Sequence, residues 1–485
     1  MIPFNKALLK KTTQNSRKNP VLILASKNAD WSKLGFNAQE IVYIKTKLKD
    51  EQELIVLNAI SETIYIRTII ESKDKSLYSI NEQYRKTGNT LSGLLNSQKE
   101  TTITLSGAKE DAASLLSISE GLALSSYQFL KYKGDAKKKL NSLTSIEILC
   151  NGVTAKDIDE LNTIIESTCI ARTLVNEPQN FLTATELSRQ ISTMGKAAGF
   201  NVEVFNKAKI KTLKMGGLLA VNLGSQLPPT FTVMEYKPKN AKNKKPLVLI
   251  GKGVVYDTGG LSLKPTPNSM DSMKCDMAGG AAVACTLYGI AKMKLPCYVI
   301  GLVPATDNRP GENAYVPGDV ITMMSGHTVE MLNADAEGRM ILADALHYAK
   351  KYKPQLVIDL ATLTGAAAAA IGQYGIVAMG TASEEQKNKL KASGENVYER
   401  LVEFPFWDEY KDLLKSDLAD MKNIGGPVAG AITAGKFLEY YIDYPWMHFD
   451  IAGPAYTNSN DNYRGKNGTG SGVRLLIDFI KNGLK

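Results

Sequence analysis

Short apolar runs alternate with helical patterns in the second half of this chain, and this alternation narrows the possible folds most. The runs are partly β-branched, are bounded by turn residues, and cover 231–235, 247–250, 298–303 and 356–360. Helical spacing of apolar residues occupies 279–293 and 340–352. Strands and helices in alternation predict a largely parallel sheet covered on both faces. Ligands of such sheets bind beyond the carboxyl ends of the strands, where we therefore look for functional residues.

The length of 485 residues exceeds one ordinary core and predicts two domains. Before residue 150, strand-like runs lie at 21–24, 41–44, 54–57, 63–66, 102–105 and 146–149, with an amphipathic helical stretch at 110–132. A further helix is predicted over 156–175. We expect an α/β protein with a smaller N-terminal α/β domain at 1–155, a linker helix at 156–178, and a larger C-terminal α/β domain at 179–485. The central sheet of the larger domain is expected to be mixed and largely parallel.

Composition excludes several classes of protein. Hydrophobic residues at 44% and charged residues at 22% are typical of a soluble globular chain, and no apolar run is long enough to span a bilayer. The first 20 residues lack the apolar core of a signal peptide. Five cysteines without a CxxC pair indicate reduced thiols and a cytoplasmic location. The net charge of +9 permits a nucleic-acid partner, but the densest basic run, 237–245, is typical of a solvated loop, so none is expected.

The segment NADAEGR at 333–339 carries Asp335 and Glu337 two residues apart, with Arg339 two residues further on. In an extended segment these three side chains project to one side. They would offer oxygen ligands and a positive charge to a metal ion and to a substrate that becomes negative during the reaction. Apolar residues with helical spacing follow from Met340, so carboxylates that cap a helix are the alternative.

Two further segments place charged residues at a strand end and at a helix start. Lys252, Asp257 and Lys264 follow the run 247–250 among several glycines. Burying a lysine at the end of a strand costs free energy unless an anion, a substrate or a metal compensates its charge. The alternative is that Lys252 is a surface lysine with its charge in water. Asp276 precedes an alanine-rich helix, either as its N-cap or as a carboxylate that the helix N-terminus keeps ionised for a cation.

If these segments meet, four carboxylates would repel one another strongly, and two divalent ions would neutralise them. A spare lysine and a spare arginine could stabilise the charge of a tetrahedral intermediate. This is the layout of a two-metal hydrolase. With only three histidines (His327, His347 and His448), any metal site must use mainly carboxylates and lysine. The segment 361–365 ends another strand, and its backbone could dock a peptide or form a plain turn.

The segments GKGVVYDTGGLSLKP, MKCDMAGGAA and NADAEGR resemble those of the leucyl aminopeptidases, as do ARTLVNEPQN, DLATLTGA and HFDIAGPA. The resemblance extends from about residue 170 to the C-terminus. It implies a cytoplasmic, homohexameric two-metal exopeptidase that releases N-terminal residues, leucine and similar ones, from peptides with a free N-terminus by attack of metal-activated water. A DNA-binding or scaffold protein on the same fold is one alternative. Another two-metal hydrolase, such as a phosphoesterase, is the second, although such sites usually employ histidines.

The resemblance also implies roles for individual residues. One metal would be held by Lys252, Asp257, Asp276 and Glu337, and the other by Asp257, Glu337 and both the side chain and the carbonyl of Asp335. Lys264 and Arg339 would be catalytic, and the substrate-binding positions would be Met273, Asn333, Ala336, Thr362, Leu363 and Gly365. The implied cofactors are two divalent ions (Zn, or Mn or Mg at the looser site) and a bicarbonate ion on Arg339. Lys252 must be neutral to bind a metal, so we expect its pKa to be lowered.

The chain departs from the family pattern at a few positions. Ala334 replaces a threonine, Tyr256 replaces a phenylalanine and Thr258 replaces a serine. The loop between Lys264 and Asp276 is one residue longer, which affects the expected specificity pocket around Met273. No departure removes a charged group, so activity is expected.

Overall fold

The computed structural model describes residues 6–14, 19–58, 63–71 and 76–484, and the chain folds as two compact units. The first unit runs to Ile165 and also includes the later segment Asp461–Gly465. The second unit comprises Glu166–Asn460 and the residues from Lys466 onward. The boundary lies inside one long helix, α4 (Ala155–Asn176). The functional division at 155 and 178 stays a prediction.

Within its described residues, the first unit contains a six-stranded sheet and three α-helices that precede α4. In chain order its elements are β1 (Leu8–Lys11), β2 (Val21–Ala25), α1 (Ala38–Lys49), β3 (Leu54–Asn58), β4 (Thr63–Thr68), α2 (Leu77–Ser97), β5 (Thr102–Ser106), α3 (Ala112–Ser125) and β6 (Ser145–Leu149). The strand order is β1-β6-β5-β2-β4-β3, and every neighbouring pair is parallel except β3 with β4.

Two predictions for the first unit were wrong in their extent or type. The run 41–44 was predicted to be a strand, but it lies within α1. Asn37 and Glu40 form a capping box there, in which each side chain accepts a hydrogen bond from the other residue's backbone N–H. The run is helical because the capping box stabilises the start of α1 more than the β-branched residues favour a strand. The stretch 110–132 is α-helical only to Ser125, and the helix α2 was not predicted.

The second unit contains the remaining elements, although the last two strands each share one residue with the first unit. These are α5 (Ala184–Ala198), β7 (Asn201–Phe205), α6 (Lys207–Thr212), α7 (Gly216–Val221), β8 (Thr230–Tyr236), β9 (Leu247–Gly251), β10 (Gly253–Asp257), α8 (Ala278–Lys292), β11 (Val299–Asn308), β12 (Val320–Thr322), β13 (Thr328–Glu330), α9 (Glu337–Ala349), β14 (Leu356–Ala361), α10 (Gly365–Ile371), β15 (Ile376–Gly380), α11 (Glu384–Val397), β16 (Leu401–Glu403), β17 (Met421–Lys422), α12 (Gly430–Glu439), β18 (Trp446–Asp450), β19 (Tyr456–Asp461), β20 (Gly465–Gly468) and α13 (Val473–Asp478).

Its main sheet has nine strands in the order β16-β15-β18-β14-β9-β11-β8-β7, with β10 paired to β11. The central neighbours β18, β14, β9 and β11 are parallel, whereas β8 and β7 add antiparallel strands at one edge and β15 pairs antiparallel with β18. The predicted fold class, a mixed and largely parallel α/β sheet, is confirmed. The carboxyl ends of the four central strands lie at one edge, which the 3₁₀ turn Met270–Cys275 and the starts of α8 and α9 approach.

Close packing of glycines brings α8 to this edge. A Cβ atom on Gly251 would lie 2.4 Å from the carbonyl oxygen of Gly279, and a Cβ on Gly279 would lie 2.0 Å from that of Leu360. Only glycine permits these approaches. The beginning of α8 therefore sits directly on the ends of β9 and β14, which places Asp276 beside Lys252.

The parallel strands and the helices α8 and α9 are buried almost throughout. Helix α9 shares one apolar core with residues of the central strands. All five cysteines are buried and carry free thiols, as predicted. No helix in the described part of the chain has the length and apolarity that crossing a membrane requires.

Candidate metal centre and active site

Lys252 occupies the centre of one buried ion cluster. Its Nζ atom lies 2.8 Å from Asp276 Oδ1, 2.9 Å from Glu337 Oε1, and donates a hydrogen bond of 2.9 Å to the carbonyl oxygen of Thr362. The three partners come from the start of α8, the start of α9 and the end of β14. Lys252 is only 3% exposed, so the alternative of a solvated surface lysine is wrong.

Lys264 forms a second cluster with the other two carboxylates. Its Nζ atom lies 2.9 Å from Asp257 Oδ2 and also contacts Asp335 Oδ1. Asp257 accepts two further hydrogen bonds at Oδ1, from the Gly259 N–H at 2.8 Å and from the Asn308 amide at 2.8 Å. The structure thus brings together all four acidic residues predicted for the site and both lysines.

Oxygen atoms of Asp257, Asp335 and Glu337 all lie within 4.8 Å of one another, a separation that one cation could bridge. Asp276 Oδ2 and Glu337 Oε2 are buried, and neither meets a hydrogen-bond donor among the described residues. Four carboxylates face two ammonium groups, so the cluster lacks positive charge unless protons or cations supply it. This donor set of hard oxygens and one amine fits divalent metal ions.

The pKa values show how the chain responds to this charge imbalance. Burial, together with the charges of Asp257 and Glu337, raises the pKa of Asp335 to about 7 despite Lys264. Burial also raises the pKa of Asp276 well above its usual range, although Lys252 opposes it. Burial alone would lower the pKa of Lys252, but the charges of Asp276, Glu337 and Asp257 outweigh it and raise the pKa. The lowered pKa expected of Lys252 is thus not found in the chain alone, because the carboxylates hold it as a counter-ion.

The segment 333–339 differs from the extended conformation that was assumed. The Asp335 N–H donates to Asn333 Oδ1 at 2.8 Å and the Ala336 N–H donates to the Asn333 carbonyl at 3.2 Å, which makes a turn. Helix α9 then begins at Glu337, three residues before the predicted start, so Glu337 and Arg339 lie in its first turn. Neither α8 nor α9 has a capping hydrogen bond from a side chain, so the capping alternatives are wrong.

Arg339 is buried beside the carboxylate cluster. Its Nη1 atom donates to the carbonyl oxygen of Asn423 at 2.7 Å, and no hydrogen-bond acceptor for its Nε lies among the described residues. Burial lowers the pKa of Arg339 to about 10, and the charges of Glu337 and Asp450 limit this effect. The guanidinium therefore remains cationic at neutral pH.

The six positions expected to bind substrate lie in several elements around the carboxyl ends of the central strands. Thr362 and Leu363 follow β14, where Asp450 Oδ1 accepts the Leu363 N–H at 3.1 Å. Asn333 and Ala336 belong to the turn before α9. Gly365 is the exposed first residue of α10, and Met273 lies in the 3₁₀ turn that ends at Cys275. The structure places all six near the sheet edge or its adjoining turns, and their roles stay predictions.

Two buried asparagines that the sequence reasoning missed hold the segment 332–339 in place. Asn308 donates to Asp257 and to the Ala334 carbonyl. Asn423 accepts the backbone N–H groups of Leu332 and Asn333 at 2.9 and 3.3 Å and donates to the Asn333 carbonyl at 2.8 Å. Asn308 ends a buried strand beside the site, which was an available signal. Asn423 lies in an irregular segment far along the chain and had none.

Comparison with known proteins agrees with this geometry. The family described as "Cytosol aminopeptidase family, catalytic domain" matches residues 169–477. The chain belongs to the cytosol aminopeptidase family. A "Probable cytosol aminopeptidase" of Chloroherpeton thalassium is 46% identical over 381 residues, covering 75% of this chain and 74% of the relative. One of Chlorobium limicola is 45% identical over 391 residues, covering 78% of this chain and 77% of the relative.

Solved structures of similar fold support the same family assignment. A mutant of tomato leucine aminopeptidase superposes with a TM-score of 0.85 at 25% identity, covering 98% of this chain and 96% of that chain. The bottromycin maturation enzyme BotP in complex with Mn superposes with a TM-score of 0.84 at 26% identity, covering 96% and 100%. This member of the cytosol aminopeptidase family is a metal-dependent hydrolase that acts at the N-termini of peptides. The comparisons give no support to the DNA-binding or scaffold alternative.

Proposed function

We propose that this enzyme releases leucine and similar residues from peptides at a centre of two divalent cations. The proposed ligands are the side chains of Lys252, Asp257, Asp276, Asp335 and Glu337. Asp335 also contributes its backbone carbonyl. The observation that carries the proposal is the approach of three carboxylates to within 4.8 Å, beside buried oxygens of Asp276 and Glu337 without donors in the described chain. We further propose Zn at the tighter site and Zn, Mn or Mg at the looser one. The donor set of hard oxygens and one amine supports divalent ions at both sites.

Divalent ions bound at these residues would supply Lewis acidity, which lowers the pKa of water and polarises a carbonyl group. The chain itself supplies the remaining positive charge. Lys264 contacts Asp257 and Asp335 and keeps part of its side chain exposed, so its ammonium can donate to the scissile carbonyl oxygen as that oxygen becomes negative. Removal of water by the buried walls strengthens this interaction.

Arg339 adds a further cation, whose charge interacts with Glu337. The guanidinium donates to the backbone carbonyl of Asn423, and the Asn423 side chain is hydrogen-bonded to the turn that carries Asp335. These bonds fix the position of the guanidinium relative to the carboxylates. We propose that Arg339 would hold a bicarbonate ion, which would supply a general base beside the carboxylates. A guanidinium binds such a planar anion through paired hydrogen bonds.

Substrate contacts follow from the strand ends. We propose that backbone groups of Thr362, Leu363 and Gly365 and the turn at Asn333 and Ala336 dock the peptide, and that Met273 contributes to the pocket for the first side chain. We also propose that the 179–485 region is the catalytic domain, that residues 1–155 form a separate N-terminal domain, and that the protein works as a cytoplasmic homohexamer. Light scattering would test the last point, since six copies of a 52.8 kDa chain are expected.

The decisive experiment compares three substrates on chelated and metal-restored protein. Leucine p-nitroanilide should be hydrolysed after Zn, Mn or Mg is added back, whereas N-acetyl-leucine p-nitroanilide, which lacks the free amine, should not. Nitrophenyl phosphate tests the phosphoesterase alternative. Equal hydrolysis of the acetylated and free substrates, or full activity after exhaustive chelation, would overturn the proposal.

A further inference from the structure

Asn308 connects two of the segments that carry the proposed metal ligands. Its side chain is fully buried at the end of β11, and its Nδ2 atom donates to Asp257 Oδ1 at 2.8 Å and to the Ala334 carbonyl oxygen at 2.9 Å. Both partners are pure acceptors, so the orientation of the amide is determined, because an exchanged amide would direct its oxygen at two oxygens. One NH₂ group thus binds the end of β10 and the residue that precedes Asp335.

The surroundings prevent Asn308 from moving away. Its backbone carbonyl accepts the Thr258 N–H at 3.1 Å and the Thr258 hydroxyl at 2.8 Å. An irregularity in the pairing of β10 with β11 brings Asp257 directly opposite Asn308. Gly260 adopts a φ of 59°, and a Cβ there would lie 2.9 Å from Asn308 Oδ1. The amide is therefore enclosed on the side away from its two acceptors.

The Ala334 peptide group is held from several directions. Its carbonyl accepts from Asn308 and, at 3.2 Å, from the Tyr315 hydroxyl, while its N–H donates to Ser262 Oγ at 3.0 Å. Fixing this peptide determines where the chain enters Asp335. Without such contacts, the mutual repulsion of Asp257 and Asp335 would separate the two segments.

We propose that Asn308 is a positioning residue of the metal centre, which holds Asp257 and the Asp335 segment at the separation that a shared cation requires. This inference rests on the proposed function of the carboxylates as metal ligands. Groups that orient metal ligands typically change metal affinity 10- to 100-fold when they are removed, because the ligands must otherwise be brought together at the moment of binding.

Asn222 provides a matched control. It is also fully buried, and its amide donates to the Leu227 carbonyl at 2.8 Å and to Thr306 Oγ1 at 3.1 Å, two residues before Asn308 on the same strand. Asn222 touches none of the proposed ligands in these hydrogen bonds. Asn222 Oδ1 also accepts from Lys207 Nζ at 3.0 Å. Each alanine variant removes two hydrogen bonds that a buried amide donates, and only Asn308→Ala removes one to a proposed ligand.

The experiment is a calorimetric titration of the chelated full-length protein with Mn²⁺, for the wild type and both variants, beside a melting curve of each without metal. Both variants should melt at lower temperature than the wild type. Asn308→Ala should raise the Kd for Mn²⁺ by about 10- to 100-fold, whereas Asn222→Ala should leave it within about threefold. An unchanged Kd in Asn308→Ala, or an equal increase in both variants, would overturn the inference.

Asn308→Leu serves if the alanine variant does not fold, since leucine keeps the branching at Cγ and fills the space but donates no hydrogen bond. The same loss of affinity is expected. Asn308→Asp is unsuitable, because an added carboxylate would itself attract the cation. A wild type that binds no Mn²⁺, Zn²⁺ or Mg²⁺ would instead overturn the proposed function, so the two failures can be told apart.

Discussion

The hydroxyl of Thr362 donates a hydrogen bond of 2.8 Å to Asp276 Oδ1, although the two residues are 86 positions apart in the chain. The carbonyl oxygen of Thr362 also accepts from Lys252 Nζ at 2.9 Å. Thr362 therefore orients two of the proposed metal ligands from the end of β14. This role of Thr362 in orienting Asp276 and Lys252 is distinct from the substrate contact that the sequence predicted for Thr362.

Replacing Thr362 by valine should weaken metal binding without disturbing the fold. Valine keeps the shape and the backbone carbonyl, but Asp276 loses the hydrogen bond from the Thr362 hydroxyl. We expect the Kd of the tighter cation to rise by about tenfold, measured by competition with a fluorescent chelator. Thr286→Val, which removes a buried hydroxyl bonded at 2.8 Å to the Ala282 carbonyl on α8, should leave the Kd unchanged. Equal effects of both variants would contradict this role.

Glu337→Gln should abolish metal binding and activity together. The glutamate is buried at the start of α9, contacts Lys252, and belongs to the three-carboxylate group, so the amide removes a charge that both proposed sites share. We expect kcat/KM for leucine p-nitroanilide to fall by roughly 10²–10³-fold or more. Metal content after dialysis is the second readout. Glu330→Gln on β13 is the control, and a Glu337→Gln protein with full turnover would refute the assignment.

Lys264→Met should separate catalysis from metal binding. The ammonium contacts Asp257 and Asp335, so its removal leaves these carboxylates less neutralised and should make the Mn²⁺ affinity equal to or higher than that of the wild type. The kcat value should nevertheless fall by roughly 10²–10³-fold, because the developing oxyanion loses its donor. Lys292→Met, which breaks a 2.8 Å pair with Glu166, should change neither quantity. A Lys264→Met protein that loses its metal would show that the lysine has a structural role instead.

The sequence could predict the α/β class and the charged residues of the site because these follow from periodicity and from motifs at strand ends. The boundaries and types of individual helices and strands were harder to predict from the sequence. The start of α9 was misplaced because the turn at Asn333 depends on a side-chain hydrogen bond, and 41–44 was misread because a capping box outweighs β-branched content. Asn423 could not be found, since its role exists only where distant backbone segments meet.

The pKa of His448 and that of His347 are shifted in opposite directions, which predicts opposite pH dependence of stability. His448 Nδ1 lies 2.7 Å from Asp359 Oδ1, in a buried cluster that includes Trp446 Nε1, bonded to Asp359 Oδ2 at 2.6 Å. Burial and the charge of Arg339 lower the pKa of His448, but Asp359 and Asp450 outweigh them and raise it. His347 is half-buried, and this burial is the main cause that lowers its pKa. The charges of Lys350 and His327 lower the pKa further, whereas the charge of Asp443 opposes the shift.

A histidine whose pKa is raised on folding stabilises the protein fully below its ordinary pKa of about 6.5, and this contribution is lost as the pH rises through the folded value. His448→Gln should therefore reduce the free energy of unfolding more at pH 6 than at pH 9. A lowered pKa has the opposite sign, so His347→Gln should cost less, or even stabilise, at pH 5.5 relative to pH 8. Urea unfolding of the chelated proteins across this range measures both slopes. Equal losses at pH 6 and pH 9 in His448→Gln would mean that folding does not shift the pKa of His448.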